Sequence, residues 1–224
     1  MHPPPSWHVS VNNTATHNGQ QGRAAAPHPT MKWNATDRKK VDMGKTAAVL
    51  LADGFETIEA LTPVDCLRRG GVEVTTVSLM GVPQVISDQN VMVTADAMVE
   101  ETDLMAFDML IIPGGSGAER IGGFKPATDA AAAFMAEGKP IGSICAGPAV
   151  LARLGLLEGR KATCYPGLEG AFPEGVYQGS GVFTDQNLAT GSGPGYSVGF
   201  GLACLALLTN QATADQVGAD MLAR

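Results

Sequence analysis

The chain has 224 residues, 45% hydrophobic and 17% charged, with a formal net charge of −7. Residues 1–42 carry five Lys/Arg and two acids, which leaves −10 on the remainder; an acidic body argues against nucleic acid as the main partner. No run approaches the ~18 apolar residues of a membrane span, and Cys66, Cys145, Cys164 and Cys204 have neither metal-ligand spacing nor the density of a disulfide framework.

Residues 1–42 are rich in Pro, Asn, Thr, His, Gln and Gly and lack apolar periodicity. They read as a disordered tail, either a leader or a targeting segment. They hold both tryptophans and all four histidines, His2, His8, His17 and His28. Residues 43–224 read as a single domain without histidine, so proton transfer there falls to a carboxyl, a tyrosine, water or a thiol.

In that body Thr46–Leu51 is a short apolar run, the pattern of a buried parallel strand. Asp53-Gly54 turns the chain, and Thr57–Arg69 has a helical apolar face interrupted by Pro63 and closed by Gly70-Gly71. Residues 73–79 read as a second strand, and 85–86 with 91–94 as a small hairpin. Residues 107–112 form another strand, closed by Pro113-Gly114-Gly115. An alanine-rich helix covers 128–137, and Ile141–Ile144 is a further strand. Residues 161–164, 182–183 and 188–190 are short strands, and 195–208 and 213–222 are helices. Strands alternating with helices predict a flavodoxin-like, Rossmann-like three-layer sandwich with a mostly parallel sheet. Functional groups in such sheets collect at the carboxyl ends of the strands.

The most informative stretch is Pro140-Ile-Gly-Ser-Ile-Cys145-Ala-Gly-Pro148. It reads as strand, sharp turn and helix (149–155), with a thiol at the turn: the cysteine counterpart of a nucleophile elbow. A helix N-terminus favours thiolate, so a depressed Cys145 pKa is expected. Gly191-Ser-Gly-Pro-Gly195 reads as a tight loop entering a packed helix. Cys66 and Cys204 lie on apolar helical faces and read as core, and Cys164 as a strand residue.

Three pieces, Ala52-Asp-Gly-Phe-Glu-Thr-Ile-Glu59, Ile112-Pro-Gly-Gly115 and Ile144-Cys-Ala-Gly-Pro148, occur in this order together with Pro63-Val-Asp65 and Arg68-Arg69-Gly70-Gly71. The chain closely resembles the ThiJ/PfpI family, in the branch of the parkinsonism-associated deglycase, from about Lys45 to about Leu222. The resemblance implies a flavodoxin-like fold, a homodimer, Cys145 as reactive thiol and Glu59 as its carboxyl partner. It also implies that the backbone of Gly114, Gly115 and Ala146 faces the site as an oxyanion hole. Tyr165, Gln89 and Pro194 are pocket candidates, and Asp65 and Arg69 candidates for the dimer side. Many relatives have a histidine where Tyr165 stands, and the parkinsonism branch an arginine where Gln89 stands. Of the two glutamates after the first strand, Glu56 reads as the exposed one.

The function expected from these residues is a cofactor-free, metal-free, glyoxalase III-type or deglycase-like enzyme, a lyase or hydrolase. Its substrates would be small reactive aldehydes or glycated adducts, in the cytoplasm. The alternative is an oxidative-stress sensor or redox-dependent chaperone acting through Cys145. A PfpI-type peptidase or amidotransferase would need an imidazole that the body lacks.

Overall fold

A computed structural model describes residues 44–223; the expected tail over 1–42 lies outside the described residues. The first strand, β1, is Thr46–Leu51. It is apolar throughout because both its faces are covered: Ala47, Val49 and Leu51 enter one core, Ala48 and Leu50 the other, following the two-residue period of a strand. Helix α1 (Thr57–Arg69) and β2 (Glu73–Ser78) follow. An antiparallel hairpin, β3 (Gln84–Ile86) and β4 (Met92–Thr94), stands apart from the main sheet. Then come β5 (Ala97–Met98), β6 (Met109–Ile112), α2 (Gly117–Gly123), α3 (Lys125–Glu137), β7 (Ile141–Ile144) and α4 (Gly147–Arg153). The chain closes with β8 (Val182–Asp185), β9 (Leu188–Gly191), α5 (Ser197–Leu208) and α6 (Gln211–Asp220).

The seven-stranded sheet has the order β5-β2-β1-β6-β7-β9-β8. Every pairing is parallel except β8 with β9. One core lies under α1, α5 and α6, the other under α2, α3 and α4, giving the expected flavodoxin-like sandwich. Strand order reverses between β1 and β6, and a crevice opens beyond the carboxyl ends of such neighbours. No helix among the described residues is long and apolar enough to cross a membrane.

Several elements differ from the sequence reading. Residues 161–164 are not a strand: Ala162 makes an isolated bridge to Tyr177, because the sheet edge beside β9 is taken by β8. Helix α2 has no counterpart in that reading, because Gly117, Gly122 and Gly123 give it little helix propensity. Helix α4 begins at Gly147, two residues early, and α3 at Lys125.

Helices α1 and α5 approach closely because Gly201 has no side chain. A methyl group there would lie 2.8 Å from Cys66 Sγ and 3.1 Å from the Pro63 Cα. The apolar stripe of α1 is thus already covered by α5, leaving Ile58, Asp65 and Arg69 exposed. Gly201→Val should therefore lower stability by about 1–3 kcal/mol through overpacking. Gly123→Ala, whose new methyl meets nothing, should stay within about 0.5 kcal/mol of the parent. Urea midpoints compare the two, and equal effects would contradict this packing.

Candidate active site

Three segments meet at the carboxyl ends of β1, β6 and β7. After β1, Phe55 pairs with both Gly115 and Ser87. The Glu56 N–H donates to the Gly114 carbonyl (3.0 Å), and the Gly54 N–H to the Ile86 carbonyl (2.7 Å). The start of α1 is thus laced between the loop after β6 and the β3–β4 hairpin. Asp88 joins the latter two: its carboxylate accepts from the Ser116 N–H and hydroxyl, both at 2.7 Å.

Cys145 follows β7 with φ +62°, a left-handed conformation that costs a non-glycine residue on the order of 1–3 kcal/mol. Its neighbours hold it there. The Cys145 N–H donates to the Gly191 carbonyl (2.8 Å), and the Tyr165 N–H donates to the Cys145 carbonyl (2.9 Å). The turn sets the sulfur where the backbone N–H groups of Gly115 and Ala146 favour its thiolate form. Gly115 itself has φ +84°, which glycine adopts without cost.

Glu59 stands in the first turn of α1 and is fully buried. Its Oε2 accepts from the Gly114 N–H (3.1 Å), and its carboxyl is within hydrogen-bonding reach of the Cys145 thiol. Gly114 must lack a side chain: a Cβ there would overlap the Glu59 carboxyl and lie 2.5 Å from the Cys145 Cβ. Glu59 Oε1 is buried without a hydrogen-bond partner, which penalises the ionised form. Burial, helped by the neighbouring Glu56 charge, raises the Glu59 pKa to about 7.

The expected depression of the Cys145 pKa is not found. Burial and the Glu59 negative charge push the thiol up to about 12, against the pull of the Gly115 and Ala146 amides. The helix N-terminus is present, but the site is buried and the Glu59 carboxyl lies beside the thiol. With Glu59 protonated, its repulsion disappears and its O–H can donate to sulfur. The pocket therefore accommodates one negative charge, shared by the pair.

The remaining candidates lie around this centre. Tyr165 is half-exposed, and its ring lies against Gly193; Pro194 follows in the turn that enters α5. Gln89 is engaged at the start of α1, its Oε1 accepting from the Thr57 N–H (3.0 Å) and hydroxyl (2.7 Å). Asp65 and Arg69 pair with each other at 2.9 Å on the exposed face of α1. Cys66, Cys164 and Cys204 are fully buried. Glu56 departs from the reading of it as exposed: it is partly buried and caps α1, its Oε2 accepting from the Glu59 N–H at 2.8 Å. The position just before a helix was a signal for a cap, but Asp, Asn, Ser and Thr are the usual residues there.

The raised Glu59 value has a sign for stability. The folded state binds this proton more tightly than the unfolded chain, whose carboxyl titrates near 4.5. The stability it contributes is fully present below pH 4.5 and lost as pH rises to about 7. The loss is of order 3 kcal/mol. Glu59→Gln should largely remove this slope, as urea denaturation at pH 4.5 and pH 8 would show; an unchanged slope would contradict the assignment.

Residues 45–207 match the DJ-1/PfpI family. The chain is 32% identical over 184 residues to the Parkinson disease protein 7 homolog of Danio rerio, covering 80% of this chain and 97% of that one. It is 38% identical over 122 residues to a deglycase of Pyrococcus abyssi, 54% of this chain and 72% of the relative. It spans only 42% of the length of the Arabidopsis thaliana protein DJ-1 homolog B, at 32% identity. Among solved structures, oxidized Toxoplasma gondii DJ-1 superimposes with a TM-score of 0.75 at 34% identity, covering 80% of this chain and 98% of that one. Motifs, superposition and sequence match agree, and the chain belongs to the DJ-1/PfpI family.

Proposed function

We propose that the chain is a cofactor-free enzyme for small dicarbonyls such as glyoxal and methylglyoxal, or for their early adducts with proteins, in the manner of a glyoxalase or deglycase. The likeness to a deglycase supports the substrate class. One observation carries the reading: the Cys145 thiol and the Glu59 carboxyl, whose pKa burial raises to about 7, are buried together, with the Gly115 and Ala146 N–H groups favouring negative charge on the sulfur.

The chemistry balances without an external oxidant. The Cys145 thiolate adds to the aldehyde carbon, a C–S bond forms, and the carbonyl π pair moves to oxygen. The Gly115 and Ala146 amides stabilise that oxyanion, and protonation gives a hemithioacetal. The Glu59 carboxylate removes the proton from the sulfur-bearing carbon, and a proton returns at the adjacent carbon. One carbon is oxidised as its neighbour is reduced, which leaves a thioester of a 2-hydroxy acid. Water cleaves the thioester, releasing the acid and the thiol. A carboxyl titrating near 7 suits a group that gives and takes protons at neutral pH, and no histidine is required. Tyr165 and Pro194 would flank the entrance.

A second reading rests on the same pocket: peroxide oxidation of Cys145 would place sulfinate oxygens among the Gly115 and Ala146 N–H groups and a protonated Glu59. We further propose a homodimer with Ile58, Asp65 and Arg69 on the contacting side, to be checked by light scattering coupled to size exclusion.

Cys145→Ala should abolish methylglyoxal turnover, and Glu59→Gln should lower kcat by at least about 100-fold. Full turnover in both variants would overturn the enzymatic reading. Selective addition of two oxygens at Cys145 under graded peroxide, with no turnover of any dicarbonyl, would favour the sensor.

A further inference from the structure

A second carboxylate belongs to this centre. Glu56 makes two hydrogen bonds of opposite sense, one to Glu59 and one to the Gly114 loop. Its side-chain Oε2 accepts the Glu59 N–H at 2.8 Å, and its backbone N–H donates to the Gly114 carbonyl at 3.0 Å. Gly114 closes the ring by donating its own N–H to Glu59 Oε2 at 3.1 Å. One residue thus sets both the origin of the helix that carries Glu59 and the loop that carries the Gly115 amide.

We propose that Glu56 is a positioning residue for the Cys145–Glu59 pair, holding the Glu59 backbone with its carboxylate and the Gly114 loop with its N–H. This rests on the reading of that pair as the reactive centre. The choice of residue fits the task. Asp, Asn, Ser or Thr at this cap is the common solution. Glutamate supplies the same acceptor and also a full negative charge beside Glu59.

That charge has a direction. Among the described residues, the titratable groups acting on Glu59 are Cys145, from the turn after β7, and Glu56, from its own helix. The loop after β6 presents the Gly114 N–H. The Glu56 charge disfavours ionised Glu59, whereas the charge acting on Cys145 is that of Glu59. The Glu56 charge therefore weighs towards the proton on the carboxyl and the negative charge on sulfur, without reversing the order set by a thiol near 12 and a carboxyl near 7. Removing the charge while keeping an acceptor moves the proton towards sulfur.

The test measures iodoacetamide alkylation of Cys145 against pH in the full chain, which needs no dicarbonyl turnover. A failed dicarbonyl assay is thereby distinguishable from a failure of this proposal. Glu56→Gln keeps an oxygen for the cap and loses the charge. Its low-pH inflection should move to lower pH, and its rate at pH 7 should fall at least about threefold. Glu56→Asp keeps both cap and charge and should restore the parent profile. Thermal melting of each variant reports the cap itself. A Glu56→Gln profile identical to the parent would overturn the proposal. So would a Glu56→Asp profile shifted as far as that of Glu56→Gln, which would show that the charge is irrelevant. If Glu56→Gln does not fold, the Glu56→Asp profile alone decides, with the parent profile expected.

Discussion

The pocket beyond β1, β6 and β7 holds room for one negative charge, and the surrounding structure is arranged around that constraint. Glu59 is fully buried with one oxygen unpaired, and Cys145 is 8% exposed. Ionising both groups would set two like charges side by side in a medium that solvates neither. One proton must therefore remain with the pair, and its position decides whether sulfur is a nucleophile. The backbone N–H groups of Gly115 and Ala146 favour the charge on sulfur. The desolvated, unpaired Oε1 favours the proton on Glu59.

This arrangement needs a rigid frame, because a small displacement would separate the two groups. The elbow is held from both sides, by the Gly191 carbonyl and the Tyr165 N–H. Helix α1 is seated at one end by the Phe55 bridges and the Glu56 cap. Farther along, it is packed on α5 across Gly201. The hairpin β3–β4, which joins no strand of the main sheet, contributes Asp88 to clamp the loop that presents Gly115. Sheet topology thus supplies the crevice, while short-range hydrogen bonds set the angles inside it.

Much of this was legible in the residues. The spans Thr46–Leu51, Thr57–Arg69 and Ile141–Ile144 were readable because apolar runs and glycine stops are local signals. The Cys145 elbow was readable because Ile144, Ala146, Gly147 and Pro148 leave little alternative to a strand–turn–helix. Less local features were not. Helix α2 hides behind its glycines, and residues 161–164 have strand-like composition but no free sheet edge to join. The thiol was misjudged for a similar reason. A helix N-terminus can be read from order along the chain, but burial and the approach of Glu59 arise only when distant segments meet. Glu56 reads as exposed because glutamate usually lies in solvent and is an uncommon cap residue, and its backbone tie to Gly114 arises only once the loop after β6 is in place.

The shared proton can be observed directly by infrared difference spectroscopy of the carboxyl stretch across pH, with Glu59→Gln subtracted from the parent. The account predicts a protonated, poorly hydrated carboxyl that persists to about pH 7, absent from the variant. A Glu59 band that disappears in the ordinary carboxylate range, near pH 4.5, would contradict it.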